Sequence, residues 1–128
     1  MSLKDHIKIM VVDDMATSRG LVINGLTELG IKNITYENSG DDAFVALSNA
    51  PVHLVISDMN MPGMSGLDLL EAMRAAPPTA KTGFILLTGS DDPSLVQKGI
   101  KLGMNNFIKK PFSKDQLQKC IERVVGRL

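Results

Sequence analysis

Polar side chains follow four of the five short apolar runs in this sequence, at the point where each run ends. In chain order they are Asp13 and Asp14, then Asp58, then Thr88, and then Lys110, which stands before Pro111. Short apolar runs bounded by turn residues are typical of strands buried on both faces. The carboxyl ends of parallel strands meet at one edge of a sheet, where ligands bind. We therefore expect these side chains to form one site.

The residue types in this set favour transfer of a phosphoryl group to a carboxylate. Three carboxylates held together make a hard-oxygen site that suits Mg²⁺ better than Ca²⁺. Lys110 can neutralise a phosphoryl oxygen, and the Thr88 hydroxyl can donate a hydrogen bond to one. With Asp58 as the nucleophile, the set meets the requirements of aspartyl phosphorylation.

The elements that must position the site alternate between strand and helix five times. The predicted strands are Ile7–Val12, Asn33–Glu37, the run from His53 to Asp58, Phe84–Thr88 and Asn106–Lys109. The predicted helices are Met15–Leu29, one from Ser39 to before Pro51, one from Ser65 to before Pro77, Asp92–Leu102 and one from Ser113 to the end. Five βα units predict a doubly wound parallel sheet with five flanking helices, class α/β. We take residues 1–128 as one domain.

The first helix carries a less regular pattern than the others. Its predicted buried side contains Leu21, Val22, Leu26 and Leu29. Gly20 and Gly25 weaken the helix, which favours close packing at both positions.

Composition narrows the class of protein further. The single cysteine, Cys120, excludes an internal disulfide and fits a reducing cytoplasm. Neither a membrane span nor a signal peptide is expected from the hydropathy pattern. The net charge is zero, yet from Lys98 onward eight Lys or Arg residues face two acidic ones. This basic excess suits an acidic protein partner or simply solvates helix faces, and we expect a monomer without nucleic acid.

These motifs together resemble the signature of response-regulator receiver domains. They read Val-Val-Asp13-Asp14, Ile-Ser-Asp58-Met-Asn-Met-Pro62, Leu-Thr88-Gly and Phe107-Ile-Lys-Lys110-Pro111-Phe112. The resemblance covers nearly the whole chain and implies a flavodoxin-like strand order of 2-1-3-4-5, which the sequence alone does not derive. With no output domain in these residues, the chain is most similar to the single-domain chemotaxis regulators of that family.

The resemblance implies a role for each residue of the site. Asp58 would accept the phosphoryl group from a histidine kinase. Asp14 would bind Mg²⁺ directly, Asp13 mainly through water, and the Asn60 backbone carbonyl would complete the metal site with Asp58.

The resemblance also implies a switch. Thr88 and Lys110 would bind the phosphoryl group, Phe107 would change rotamer, and a target protein would dock on the surface of residues 93–119. The Lys110–Pro111 bond would be cis. The sequence departs from the family's common pattern at Gly89, Ser90 and Phe107, positions that bear on the partner and the rate of dephosphorylation.

Other interpretations remain open from the sequence. The chain could be a phosphate sink or a phosphorelay intermediate rather than a chemotaxis switch, and in none of these roles is it an enzyme in the usual sense. A Mg²⁺-dependent aspartyl-phosphate phosphatase is disfavoured, because Asn60 stands where such enzymes carry a second acid. A flavodoxin-type cofactor binder would need a phosphate loop where Asp13 and Asp14 stand. Taken singly, those two acids could also be a helix cap.

Overall fold

Five parallel strands form a single sheet in the order β2-β1-β3-β4-β5 in this computed structural model, which describes residues 2–90 and 92–128. The strands are β1 (Lys8–Val12), β2 (Asn33–Glu37), β3 (Leu54–Asp58), β4 (Gly83–Thr88) and β5 (Asn106–Lys109). The helices are α1 (Ala16–Glu28), α2 (Gly40–Asn49), α3 (Gly66–Ala75), α4 (Pro93–Leu102) and α5 (Lys114–Val125). The doubly wound, flavodoxin-like α/β fold is therefore confirmed.

Helices bury apolar residues on both faces of the sheet. In β3, every position of which is buried, Leu54 and Ile56 face one cluster and Val55 faces the other. The first cluster is completed by α1 and α5, and the second by α2 and α3 with partly buried residues of α4. The alternation places successive β3 side chains on opposite faces. Asp58, the last residue of this buried strand, reaches the edge where all five strands end.

Helix α1 differs from its predicted pattern. Val22 and Leu26 are buried, but Leu21 is 65% exposed. A Cβ atom on Gly25 would lie 2.9 Å from the Leu117 side chain, whereas one on Gly20 would meet nothing within 4 Å. Close packing is thus confirmed at Gly25 and wrong at Gly20.

Helix α5 closes the first cluster and carries the single cysteine on its buried side. Ser113 caps it and forms the predicted capping box with Gln116. Cys120 is buried, its thiol lies 3.6 Å from the Phe107 carbonyl oxygen, and burial raises its pKa to about 11. This thiol is therefore unreactive in the folded protein. No helix of the described residues is long and apolar enough to cross a membrane.

Candidate phosphoacceptor site

Asp58 lies at the carboxyl end of the central strand and is 7% exposed. The backbone leaves the sheet immediately after it, where the Met59 N–H donates to the Leu87 carbonyl. The site is therefore built on the end of a buried strand, and Asp58, the candidate nucleophile, lies at the edge of the sheet.

Lys110 is the cation that contacts Asp58. Its Nζ lies 2.6 Å from Asp58 Oδ1 and 3.4 Å from the Ser18 hydroxyl oxygen. Two backbone features place it: its N–H donates to the Thr88 carbonyl at 2.8 Å, and the Lys110–Pro111 bond is cis, as the family resemblance implied. The ends of β4 and β5 thus present one ammonium group to the carboxylate.

Asp13 and Asp14 complete an acidic cluster with Asp58. One carboxylate oxygen from each of the three lies within 4.8 Å of the others. Asp13 is fully buried; its Oδ1 accepts from the Met15 N–H at 3.0 Å, while its Oδ2 is buried without a hydrogen-bond partner among the residues that the structure describes. Buried polar atoms are normally paired, and a buried charge needs a compensating partner. An unpartnered carboxylate oxygen inside an acidic cluster fits a divalent cation.

The reading of Asp13 and Asp14 as a simple helix cap is not what the structure shows. Met15 occupies the N-cap of α1 and makes no side-chain cap. Asp13 accepts from the Met15 N–H, two residues further on, and Asp14 is an exposed member of the acidic cluster.

The charge on Asp58 is disfavoured by its surroundings. Burial raises the pKa of its carboxyl group, and the charge of Asp13 raises it further, while the hydrogen bond and charge of Lys110 oppose the rise. The net direction is upward, so the ionised group is held in an unfavourable environment. A ligand that offsets this negative charge will therefore bind more strongly.

The remaining predicted residues occupy different positions around the site. Thr88, 3% exposed, ends β4 beside β5. Asn60 is exposed, two residues beyond Asp58. Phe107 is half-buried in β5 and packs against the second cluster. Of the predicted set, the structure joins Asp13, Asp14, Asp58 and Lys110 directly, and joins Thr88 to Lys110 through the backbone.

Two residues near the site were missed by sequence reasoning. The Arg19 guanidinium donates to the Asp13 carbonyl at 3.2 Å and to the Asn38 side chain at 2.7 Å, and it lies over the Tyr36 ring. Ser18 accepts from Lys110. Both lie in the first turn of α1, next to the acids in sequence, but nothing in residue type or spacing distinguishes them from ordinary helix-surface residues.

Gly66 is the third missed residue. A Cβ atom there would collide with the Asp58 carbonyl oxygen and lie 2.8 Å from Leu86 Cδ1. The Gly66 N–H donates to the Met59 carbonyl at 2.9 Å. Only glycine lets α3 begin so close to the end of β3, and this close approach fixes the backbone of Asp58.

The doubly wound sheet thus brings an acidic cluster and a lysine to the end of its central strand. Residues 9–122 match the response regulator receiver domain family. The chain belongs to that family, whose members are signalling regulators rather than classical enzymes.

Relatives of known name agree with this assignment. The chain is 44% identical over 128 residues to a probable chemotaxis protein CheY of Rhizobium etli, covering 100% of this chain and 99% of that protein. It is 32% identical over 123 residues to the chemotaxis protein CheY of Pseudomonas aeruginosa, covering 93% and 99% of the two. The structure of Vibrio cholerae chemotaxis protein CheY4 is similar with a TM-score of 0.86 and 30% identity, covering 92% of this chain and 98% of that one.

Proposed function

We propose that the chain is a phosphorylation switch of two-component signalling, a single receiver domain in which Asp58 takes a phosphoryl group from a histidine kinase. The observation that carries the proposal is the Asp58 carboxylate, 2.6 Å from Lys110 Nζ and within the acidic cluster that contains the unpartnered Asp13 Oδ2. Family membership and the chemotaxis names of the relatives support it.

The transfer would follow in-line displacement at phosphorus. Asp58 Oδ forms the new P–O bond as the bond between phosphorus and the imidazole nitrogen of the kinase breaks, and that nitrogen leaves with the electron pair. Lys110, already at the carboxylate, stabilises negative charge on the phosphoryl oxygens. The Thr88 hydroxyl donates to one of them. The chain supplies these groups for its own phosphorylation and acts on no other substrate.

Asp13, Asp14 and Asp58 are the residues that would hold Mg²⁺, with the Asn60 carbonyl as a further oxygen ligand. The bound ion would supply charge neutralisation between the carboxylates and the phosphoryl oxygens. The donor set consists of oxygen atoms alone, and Asp13 Oδ2 has no hydrogen-bond partner within residues 2–90 and 92–128, which supports the proposal.

The decisive experiment is phosphorylation by a small donor. Incubated with Mg²⁺ and acetyl phosphate or phosphoramidate, the protein should gain the mass of one phosphoryl group. Asp58→Asn should gain none, and Asp115→Asn, an exposed acid in the first turn of α5, should behave like wild type. A mass gain that persists in Asp58→Asn would contradict the assignment.

The output surface is proposed to be formed by residues 93–119. Lys98, Lys101 and Lys119 are exposed there, and Ile100 is 61% exposed in α4. Exposed lysines together with an exposed apolar side chain suit an acidic helix or loop of a target protein. We propose a cytoplasmic monomer with such a target, most readily in chemotaxis, as for the relatives. A phosphate sink would lack phosphorylation-dependent binding of any target.

A further inference from the structure

The backbone of Asp13 is held on both sides by residues outside β1. Its N–H donates to the Glu37 carbonyl at the end of β2 at 3.2 Å, and its carbonyl accepts from Arg19 Nη1, also at 3.2 Å. On the side chain, Oδ1 accepts from the Met15 N–H at 3.0 Å. Among the described residues, Oδ2 is therefore the one polar atom of Asp13 without a hydrogen-bond partner.

Arg19 is joined to Asp13 by two routes. The direct route is the bond from Nη1 to the Asp13 carbonyl. The second route runs through Met15, whose carbonyl accepts from the Arg19 N–H at 2.9 Å and whose N–H donates to Asp13 Oδ1. The two routes close a ring of hydrogen bonds, so the position of the Arg19 side chain is coupled to that of the Asp13 carboxylate.

The end of β2 holds the Arg19 guanidinium in place. Nη1 carries two hydrogens, and the second is donated to Asn38 Oδ1 at 2.7 Å. Arg19 Cζ lies 4.5 Å from the centroid of the Tyr36 ring, a cation–π distance. Tyr36 is 52% exposed and Asn38 is also exposed, so neither side chain is required to fill the core. We call Arg19, Tyr36 and Asn38 the β2 clamp.

The charge of Arg19 by itself would oppose a cation at the acidic cluster, because like charges repel. The two described hydrogen bonds of its guanidinium end on a backbone carbonyl and an amide oxygen, which are neutral. The contacts of Arg19 thus serve to orient Asp13, while its charge would weaken cation binding. Orientation and charge have opposite effects on the affinity for Mg²⁺, so an experiment can separate them.

We propose that the β2 clamp positions Asp13 for the metal site, so that β2 raises the affinity of the acidic cluster for Mg²⁺ without supplying a ligand. Arg19 is a positioning residue in this scheme, since it acts through Asp13 and not on the ion. The proposal deepens the proposed function, on which it rests for the metal site. Groups that orient a metal ligand typically contribute 10- to 100-fold in metal affinity.

The test is an amide NMR titration of the full chain with Mg²⁺ in the absence of any phosphoryl donor. Arg19→Gln should bind Mg²⁺ about tenfold more weakly, the lower end of that range, because loss of the like charge works in the other direction. Arg19→Lys keeps the charge but lacks the planar fork, so it should bind at least as weakly. Arg127→Gln removes an exposed positive charge beyond α5 and should match wild type.

Two substitutions of Tyr36 test the ring contact. Tyr36→Phe keeps the ring and should bind Mg²⁺ like wild type. Tyr36→Leu should bind about two- to fivefold more weakly, as expected from loss of an exposed cation–π contact. Urea unfolding of the same variants serves as the control, since a merely structural role would lower stability and leave the affinity for Mg²⁺ unchanged.

Three outcomes would overturn the β2 clamp. They are wild-type or tighter Mg²⁺ binding in Arg19→Gln, full restoration by Arg19→Lys, and equal affinities in Tyr36→Phe and Tyr36→Leu.

Metal-free protein separates this inference from the proposed function. The Met15 amide proton, which is donated to Asp13 Oδ1, should move upfield in Arg19→Gln as that hydrogen bond weakens, and should stay in place in Arg127→Gln. A wild type that binds no Mg²⁺ would refute the proposed metal site, and the Met15 amide would then decide whether Arg19 positions Asp13. An unchanged Met15 amide in Arg19→Gln would refute the clamp itself.

Discussion

At the site, some residue contacts could be predicted from the sequence and others could not. Asp58 and Lys110 were predicted to meet because each follows a strand, and they form an ion pair. The roles of Asp14, Asn60 and Phe107 remain predictions. Arg19 and Gly66 could not be predicted, because their contacts depend on how α1 and α3 approach the sheet in three dimensions.

At the residue scale, Asp14→Ala should weaken Mg²⁺ binding at least as much as Asp58→Ala. An ion held by few protein ligands is lost when a directly coordinating carboxylate is removed. Asp14 is exposed, so folding should be unaffected. Amide NMR titration with Mg²⁺ measures the affinity, with Asp115→Ala as the matched control. Wild-type affinity in Asp14→Ala would remove that residue from the metal site.

Also at this scale, Asp58→Asn should be more stable than wild type in metal-free buffer at neutral pH, by about 1 kcal/mol, a usual size for one substitution. The raised pKa means that the folded protein binds the Asp58 proton more tightly than the unfolded chain. Wild-type stability should therefore fall as pH rises from the ordinary aspartate pKa, roughly 3.9, through the raised one, and then level off.

The measurement is urea unfolding of both proteins across that pH range with a chelator present. The difference in unfolding free energy between Asp58→Asn and wild type should be small in acid and should increase as pH rises. A difference that shrinks with rising pH would mean that Lys110 outweighs burial.

At the scale of elements, periodicity and caps predicted the five strands and five α-helices, with most bounds shifted by a residue or two. The prediction was wrong at the end of α5, which stops at Val125 and not at Leu128, and it missed the short 3-10 helices Leu3–Asp5 and Pro77–Thr79. β4 begins at Gly83 rather than Phe84, and α1 begins at Ala16 rather than Met15. Helix ends depend on local capping and fray by this amount. The exposure of Leu21 was not predictable, since α1 is apolar on more than one side.

Two glycine substitutions test the element packing in opposite directions. Gly66→Ala should destabilise the fold by about 1–3 kcal/mol, because the methyl group would meet the Asp58 carbonyl and Leu86 in a filled space. Gly20→Ala, at an open position inside α1, should stabilise it by about 0.5–1 kcal/mol through higher helix propensity. Urea midpoints measure both, and equal effects would refute the packing argument.

At the scale of the whole molecule, the strand order came from family resemblance and not from pattern. Alternating strands and helices allow several orders, and which strands become neighbours depends on long-range packing. The observed order, with β2 at one edge, brings the ends of β1, β3, β4 and β5 together. The edge strand β2 is the one strand from which no site residue was predicted.

Phosphorylation of Asp58 should change the environment of residues well beyond the site itself. Comparing amide NMR spectra with and without beryllofluoride and Mg²⁺, we expect shifts at Asp58 to extend through residues 93–109. A bound target should in turn slow loss of the phosphoryl group, because coupling between two sites is reciprocal. Shifts confined to the Asp58 pocket would exclude the proposed output surface.

The single cysteine, on the buried side of α5, can report how often that helix separates from the sheet. Cys120 is buried against β5, and a thiol with a pKa of about 11 is almost wholly protonated at pH 8. A thiol-specific dye can therefore label the chain only during moments when α5 parts from the sheet. When reclosing is faster than labelling, the rate reports how often that opening is populated. Comparing the labelling rates with and without phosphorylation would then show whether phosphorylation makes opening of α5, on the face of the sheet away from α3, rarer or more frequent.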